Sequence, residues 1–194
     1  LADKGGNDNL DSDLDESNGE GTSSTFTTIP GDLRYDIDGG LIQCALLGDY
    51  VWFDYNENDQ KDPFENGINQ LKVELWRSEI GTWVLWDETY TGPVPDQPSG
   101  DGYYKFCVIP GTYYLKFVNP PETLVPAVPN IGNEAFDSDI TGAFGPGTTN
   151  AYSVISGQKI CDIGAGFYEM GTIGDHIWFD NNENGMQDPG ESGI

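Results

Sequence analysis

Between residues 45 and 170 apolar and polar positions alternate in short bursts, separated by turn residues. Gln70–Arg77 (Gln-Leu-Lys-Val-Glu-Leu-Trp-Arg) alternates strictly and puts Leu71, Val73 and Leu75 on one face, the period of a half-buried strand. Leu47–Phe53 alternates and stops at an Asp/Asn-rich loop, and Thr82–Trp86 follows a glycine. Tyr103–Ile109 and Thr112–Val118 flank Pro110-Gly111, a turn dipeptide, and read as a hairpin. Tyr152–Ile155 and Lys159–Tyr168 flank Ser156-Gly157. About seven short strands of this kind predict an all-β, Ig-like two-sheet sandwich. Asn119–Asn130, with four prolines, is expected to be an irregular crossover or an edge, because proline cannot serve a central ladder. No long stretch carries a 3.6-residue apolar period, and no apolar run approaches the roughly 18 residues of a membrane span, so no membrane insertion is expected.

The pattern repeats. Shifted by 126 positions, residues 6–68 fall on residues 132–194 without a gap, and 26 of the 63 positions are identical. Gly48-Asp-Tyr-Val-Trp-Phe-Asp54 falls on Gly174-Asp-His-Ile-Trp-Phe-Asp180, and Asp11-Ser12-Asp13 on Asp137-Ser138-Asp139. A gapless match of this length marks a repeating unit. One complete module is therefore expected over 45–170, the back of a preceding repeat over 1–44, and the front of a following one over 171–194. The expected partners are neighbouring repeats, or other copies of the chain joined head to tail.

Charge narrows the field. Eight Lys and Arg stand against 33 Asp and Glu, a formal net charge of −25. Such a polyanion lacks the basic surface that binding nucleic acid through phosphates requires. A disordered acidic chain is disfavoured by the 12% aromatic content. The remaining reading is a folded chain whose carboxylates meet cations, of which Ca²⁺ suits oxygen-rich sites best.

The loop after the first strand supplies such a site. With Asp54 as position 1, oxygen side chains fall at positions 1, 3, 5, 9 and 12 (Asp54, Asn56, Asn58, Asp62, Glu65), and Gln60 at position 7 offers its backbone carbonyl, the ligand spacing of a 12-residue calcium loop. The second copy repeats it with Asp180, Asn182, Asn184, Met186 (carbonyl), Asp188 and Glu191. Asn and Asp favour surface turns without any metal, but that alone does not account for the same spacing appearing twice. For Asp11, Asp13, Asp137 and Asp139 both a second cation site and a solvated acidic loop fit the pattern, since clustered carboxylates repel unless a cation lies among them.

These residues carry a resemblance. Gly48–Asp54, the Asp-x-Asn-x-Asn loop, Glu65-x-Gly67-Ile68, Gly102-Tyr-Tyr-x-Phe106, Pro110-Gly-Thr-Tyr113 and Asp137-Ser-Asp139 together resemble the B-type module of serine-aspartate repeat surface proteins, related to the prealbumin-like B-type module of collagen adhesins. The resemblance implies a calcium-stabilised sandwich used in tandem as a stiff stalk outside a bacterial cell. It implies calcium at Asp54–Glu65 and Asp180–Glu191, and a link between calcium and the Asp-Ser-Asp element. The Lys–Asn isopeptide bond of some relatives is not expected, because Leu47–Phe53 has no lysine. The cysteines depart from the repeat: Tyr35 matches Cys161, and Met170 matches Cys44. A disulfide between Cys107 and Cys161 fits an oxidising compartment, two buried thiols are the alternative, and Cys44 is then left free or bridged to another chain.

A structural role follows: spacer, stalk or fibre. An adhesin that binds a host protein or a glycan is the alternative, with Trp83 and Trp86 as a stacking face. An enzyme is disfavoured, because His176, the one histidine, faces Tyr50 in the other copy, and no catalytic set repeats with the module.

Overall fold

The computed structural model describes residues 12–15, 18, 21–95, 101–118 and 120–194, and Asp11 lies outside them. The described residues form strands and no helix, so no helix is long and apolar enough to cross a membrane. Among the described residues there are nine strands: β1 (Ala45–Phe53), β2 (Lys72–Glu79), β3 (Thr82–Tyr90), β4 (Tyr103–Val108), β5 (Gly111–Val118), β6 (Leu124–Pro126), β7 (Tyr152–Val154), β8 (Lys159–Ile160) and β9 (Ala165–Glu169). One sheet runs β4-β1-β9-β6, with β8 also on β1, and the other runs β3-β2-β5-β7.

The alternation read from sequence sorts the sandwich. Leu71, Val73 and Leu75 are buried and meet Leu47 and Val51 of β1, Tyr104, Phe106 and Val108 of β4, and Leu115 and Phe117 of β5 in one core. Burial of this apolar surface holds the two sheets together. Trp52 is buried on the opposite side of β1, where Gly164 and Gly166 leave room for its ring; a Cβ at either would stand 2.8 Å from the indole. Trp76, Trp83 and Trp86 lie outside the core. Trp83 meets Tyr114 and Phe144 edge-on, and the Arg77 guanidinium lies 4.4 Å from the Trp86 ring centre.

One feature differs from the sequence reading and a second agrees with it. The segment read as one strand over Lys159–Tyr168 is two, because β8 pairs with Leu46–Leu47 and β9 with Val51–Phe53. Between these pairings β1 advances one residue fewer than its partner, so the ladder breaks around Asp162. The proline-rich crossover contributes β6, a three-residue edge strand on β9, as proline permits only there.

The cysteine expectation is corrected. Cys44 bonds Cys107, with a Cα–Cα distance of 5.5 Å, and Cys161 is free and exposed. The register explains it. Ala45 faces Val108 and Leu46 faces Cys107 across the β1–β4 ladder, which brings Cys44 beside β4, whereas Cys161 follows β8 on the other side of β1.

Strand directions give the sandwich two poles. The turns at Ile80-Gly81, Ile109-Pro110 and Ile155–Gly157 lie with the start of β1 at a leading pole. The Asp/Asn-rich loop, the starts of β2 and β4 and the end of β9 lie at the trailing pole.

The flanking segments repeat the module's local bonds. Asp139 donates its N–H to Gly164 O and accepts Gly164 N–H on Oδ2, while Ser138 Oγ accepts Gly166 N–H. At the matching positions Asp13 donates to Asp38 O and accepts Asp38 N–H, and Ser12 Oγ accepts Gly40 N–H.

Candidate metal centre

The loop begins where β1 leaves its ladder. Asp54 N–H donates to Phe167 O, Phe53 N–H to Asn66 O, and a bridge between Trp52 and Gly67 closes the segment. Inside, the side chains fold onto their own backbone. Asp54 is 2% exposed, and its two oxygens accept Asn58 N–H at 3.1 Å and Asp59 N–H at 2.8 Å. Asn58 Oδ1 accepts Gln60 N–H at 2.9 Å. The amides of Asn56 and Asn58 both reach Asp62 Oδ2, at 2.8 and 2.9 Å. Glu65, 7% exposed, accepts Tyr55 N–H at 2.9 Å and Asp62 N–H at 2.8 Å. Burial, opposed by those two bonds, raises the Glu65 carboxyl above its ordinary range, and Asp54 and Asp62 push the same way.

The second loop repeats this network bond for bond. Asp180 accepts from Asn184 and Gly185, Asn182 and Asn184 donate to Asp188, Met186 donates to Asn184, and Glu191 accepts from Asn181 and Asp188. The backbone repeats as well: φ is 64° at Asp59 and 77° at Gly185, and 54° at Glu57 and 59° at Glu183. Asp59 thus takes the left-handed turn that glycine takes in the other copy.

The structure joins this loop to the Asp-Ser-Asp element. Gln60 bridges Asp137, Lys61 N–H donates to Phe136 O at 2.6 Å, and Val128 N–H donates to Asp59 Oδ1 at 2.7 Å. Asp139, however, is already engaged: its carboxylate accepts Tyr152 O–H at 2.9 Å and Gly164 N–H at 2.8 Å, which makes it a clamp between strands. Asp13 holds Asp38 N–H in the same way.

Tested against a hard cation, the loop donors fit in kind, since every one is oxygen. Their present partners are the loop's own N–H groups and amides. Among the described residues no three Asp, Glu, His or Cys side chains gather tightly enough to form a metal cluster by themselves, so a cation there would depend on Asn56, Asn58 and the Gln60 carbonyl as well.

Sequence reading missed Asp49 and Asp162. Burial and the nearby Asp162 raise the Asp49 carboxyl to about 7, with Lys61 opposing, and burial raises Asp139 to about 7. The signal was present, because both aspartates recur at the repeat distance as Asp175 and Asp36. Only the fold shows that they approach one another.

Known proteins resemble this chain in sequence. The chain is 32% identical over 178 residues to serine-aspartate repeat-containing protein F of Staphylococcus epidermidis, a match covering 90% of the chain and 9% of that protein. It is 33% identical over 195 residues to serine-aspartate repeat-containing protein D of Staphylococcus aureus strain Newman, covering 98% of the chain and 13% of the relative. The chain thus spans about a tenth of the length of these relatives. The profile of the SdrD B-like domain matches residues 45–167, from the start of β1 into β9 with the first loop, and the chain belongs to that family.

Proposed function

We propose that this chain is a structural, extracellular repeat module, stabilised by Ca²⁺ and used in tandem as a stiff stalk or head-to-tail fibre at a cell surface. One observation carries the reading: two loops 126 positions apart share the same oxygen donors, the same internal bonds and the same positive-φ residues. Asp54, Asn56, Asn58, Gln60 (carbonyl), Asp62 and Glu65 would hold one ion, and Asp180, Asn182, Asn184, Met186 (carbonyl), Asp188 and Glu191 another. The ion supplies positive charge among clustered carboxylates of a chain with net charge −25. A ligand that binds the folded form alone adds stability by mass action, about 2.7 kcal/mol at a hundred times its Kd. The relatives are named for serine-aspartate repeats and occur in staphylococci, which supports a repeat protein of the cell surface. The test is calorimetric unfolding with Ca²⁺ and with a chelator, beside a Ca²⁺ titration of the chelated protein. A melting temperature indifferent to chelation would overturn the calcium part of this reading.

An adhesive role is favoured by a different observation. Trp86 is 44% exposed beside the Arg77 guanidinium, and Phe144, also exposed, stacks on Tyr114. Aromatic faces of this kind stack on sugar rings or receive apolar side chains of a protein. Binding of a glycan or host protein that is lost in Trp86→Ala, with the melting temperature kept, would establish it.

A further inference from the structure

The leading pole of the sandwich is apolar at its three turns. Ile80 is fully exposed, Ile155 is 71% exposed and Ile109 is 40% exposed. Ile80 also holds φ of 45°, a conformation that a β-branched residue rarely adopts. Nothing in the described chain covers Ile80, and Ile155 and Ile109 are covered only in part.

What covers them follows from the repeat. β9 ends at Glu169, and the position that matches the start of β1 in the following unit is Gly171, so a single residue, Met170, joins one sandwich to the next. Cys44 is the matching residue ahead of β1. One linking residue spans two Cα steps, roughly 7 Å in all. The trailing pole of the preceding unit must therefore abut the leading pole of this one.

The linking residue is also fastened. Gln43 N–H donates to Ser156 Oγ at 3.0 Å, Ser156 O–H donates to Gln43 O at 2.9 Å, and Gly157 N–H donates to the same carbonyl at 3.0 Å. Next to it Cys44 is bonded to Cys107. The chain thus enters the leading pole from a fixed direction, pinned to the same turn that carries Ile155. At the trailing pole a hollow of about 420 Å³ is lined by Ile68, Leu71, Lys72, Val118 and Pro121, and Met170 N–H is held nearby by Thr123 O.

We propose that Ile80, Ile109 and Ile155 form the docking face for the trailing pole of the preceding repeat, with the Gln43–Cys44 link clamped by Ser156 and Cys107, so that successive units pack end to end without a hinge. The partner is a second copy of this module. The inference rests on the tandem reading above, but not on its calcium.

The test uses the chain with residues 44–169 occurring twice in succession, so that the flanks are kept and the junction is Glu169-Cys44. Spin labels on unnatural side chains at Ala143 of both units report the distance between the units by pulsed electron paramagnetic resonance. One narrow distance distribution is expected, at least twofold broader when Ile80, Ile109 and Ile155 of the second unit are all changed to Ser. These side chains are exposed within the unit, so the melting temperature of the single-copy chain with the same three changes should stay as it was. A distribution just as narrow in the triple variant overturns the proposal, and so does a broad one in the unsubstituted tandem chain. Chelation is read separately: if melting ignores the chelator while the triple variant still broadens the distribution, the docking face stands and the calcium reading falls.

Discussion

Asp59 Oδ1 accepts the N–H of Val128 at 2.7 Å, and so ties the candidate metal loop to the proline-rich crossover 69 residues away in sequence. The same residue sits at φ 64°, where the other copy has Gly185 at 77°. The first loop thus trades the conformational ease of glycine for an anchor to the rest of the module.

That trade can be measured. Asp59→Ala keeps the left-handed strain and loses the bond, and should destabilise the module by about 1–2 kcal/mol. Asp59→Gly loses the bond but relieves the backbone, and should cost about 1 kcal/mol less than the alanine variant. In both variants Val128 N–H should exchange faster with solvent. Denaturant unfolding and amide hydrogen exchange check both outcomes, and equal costs for the two variants would show that the backbone carries no strain.

The loops should answer to calcium separately. Glu65→Ala removes the acceptor of Tyr55 and Asp62 in the first loop and leaves Glu191 in the second. In saturating Ca²⁺ the variant should melt on the order of 5 °C lower, as loss of a few kcal/mol implies for a domain of this size, and after chelation the gap should shrink. Calorimetry of both proteins under both conditions decides it. A gap of the same size with and without calcium would mean that Glu65 stabilises only by its hydrogen bonds.

Asp49 makes stability depend on pH. Burial and the neighbouring Asp162 raise its folded carboxyl to about 7, opposed by Lys61, with Asp139 adding to the rise. An unfolded aspartate titrates near ~3.9. Between these values the folded chain holds a proton that the unfolded chain has released, so the contribution of Asp49 is present at low pH and is lost as pH rises through about 7. In chelated protein Asp49→Asn, which stays neutral, should flatten the decline in melting temperature between pH 4 and pH 7 (both approximate, from these two values). An unchanged slope would count against the buried acid.

How much of this was legible from sequence depends on the range of the interactions involved. Alternation placed β2, β4 and β5, because one buried face dictates a period of two, as at Leu71, Val73 and Leu75. Loop spacing singled out Asp54 through Glu65 as candidates, and those residues do bond one another locally. The break between β8 and β9 was not legible, since it depends on which residues of β1 each strand meets. Asp139 was read as a candidate ligand because its neighbours are acidic, and its bonds to Tyr152 and Gly164, distant in sequence, were not legible. The cysteine pairing failed for the same reason: two cysteines on strands of one module made the natural pair, but partnership followed the ladder between β1 and β4.

The disulfide leads to the final prediction. Cys44 and Cys107 are 63 positions apart in sequence, and closing a loop of that length lowers the entropy of the unfolded chain enough to stabilise the fold by about 4 kcal/mol in the ideal case. Cys44→Ser and Cys107→Ser should therefore each lower stability by about 2–4 kcal/mol, and the double change should cost no more than either alone, because all three remove the same bond. Cys161→Ser should be nearly neutral, since that thiol is exposed and unbonded. Thiol titration of the unfolded, unreduced protein should count one free cysteine, falling to none in Cys161→Ser and rising to two in either of the other single variants. If Cys161→Ser instead left two reactive thiols, the bond would join Cys161 to one of its neighbours, and the link at Gln43–Cys44 would lose its covalent anchor.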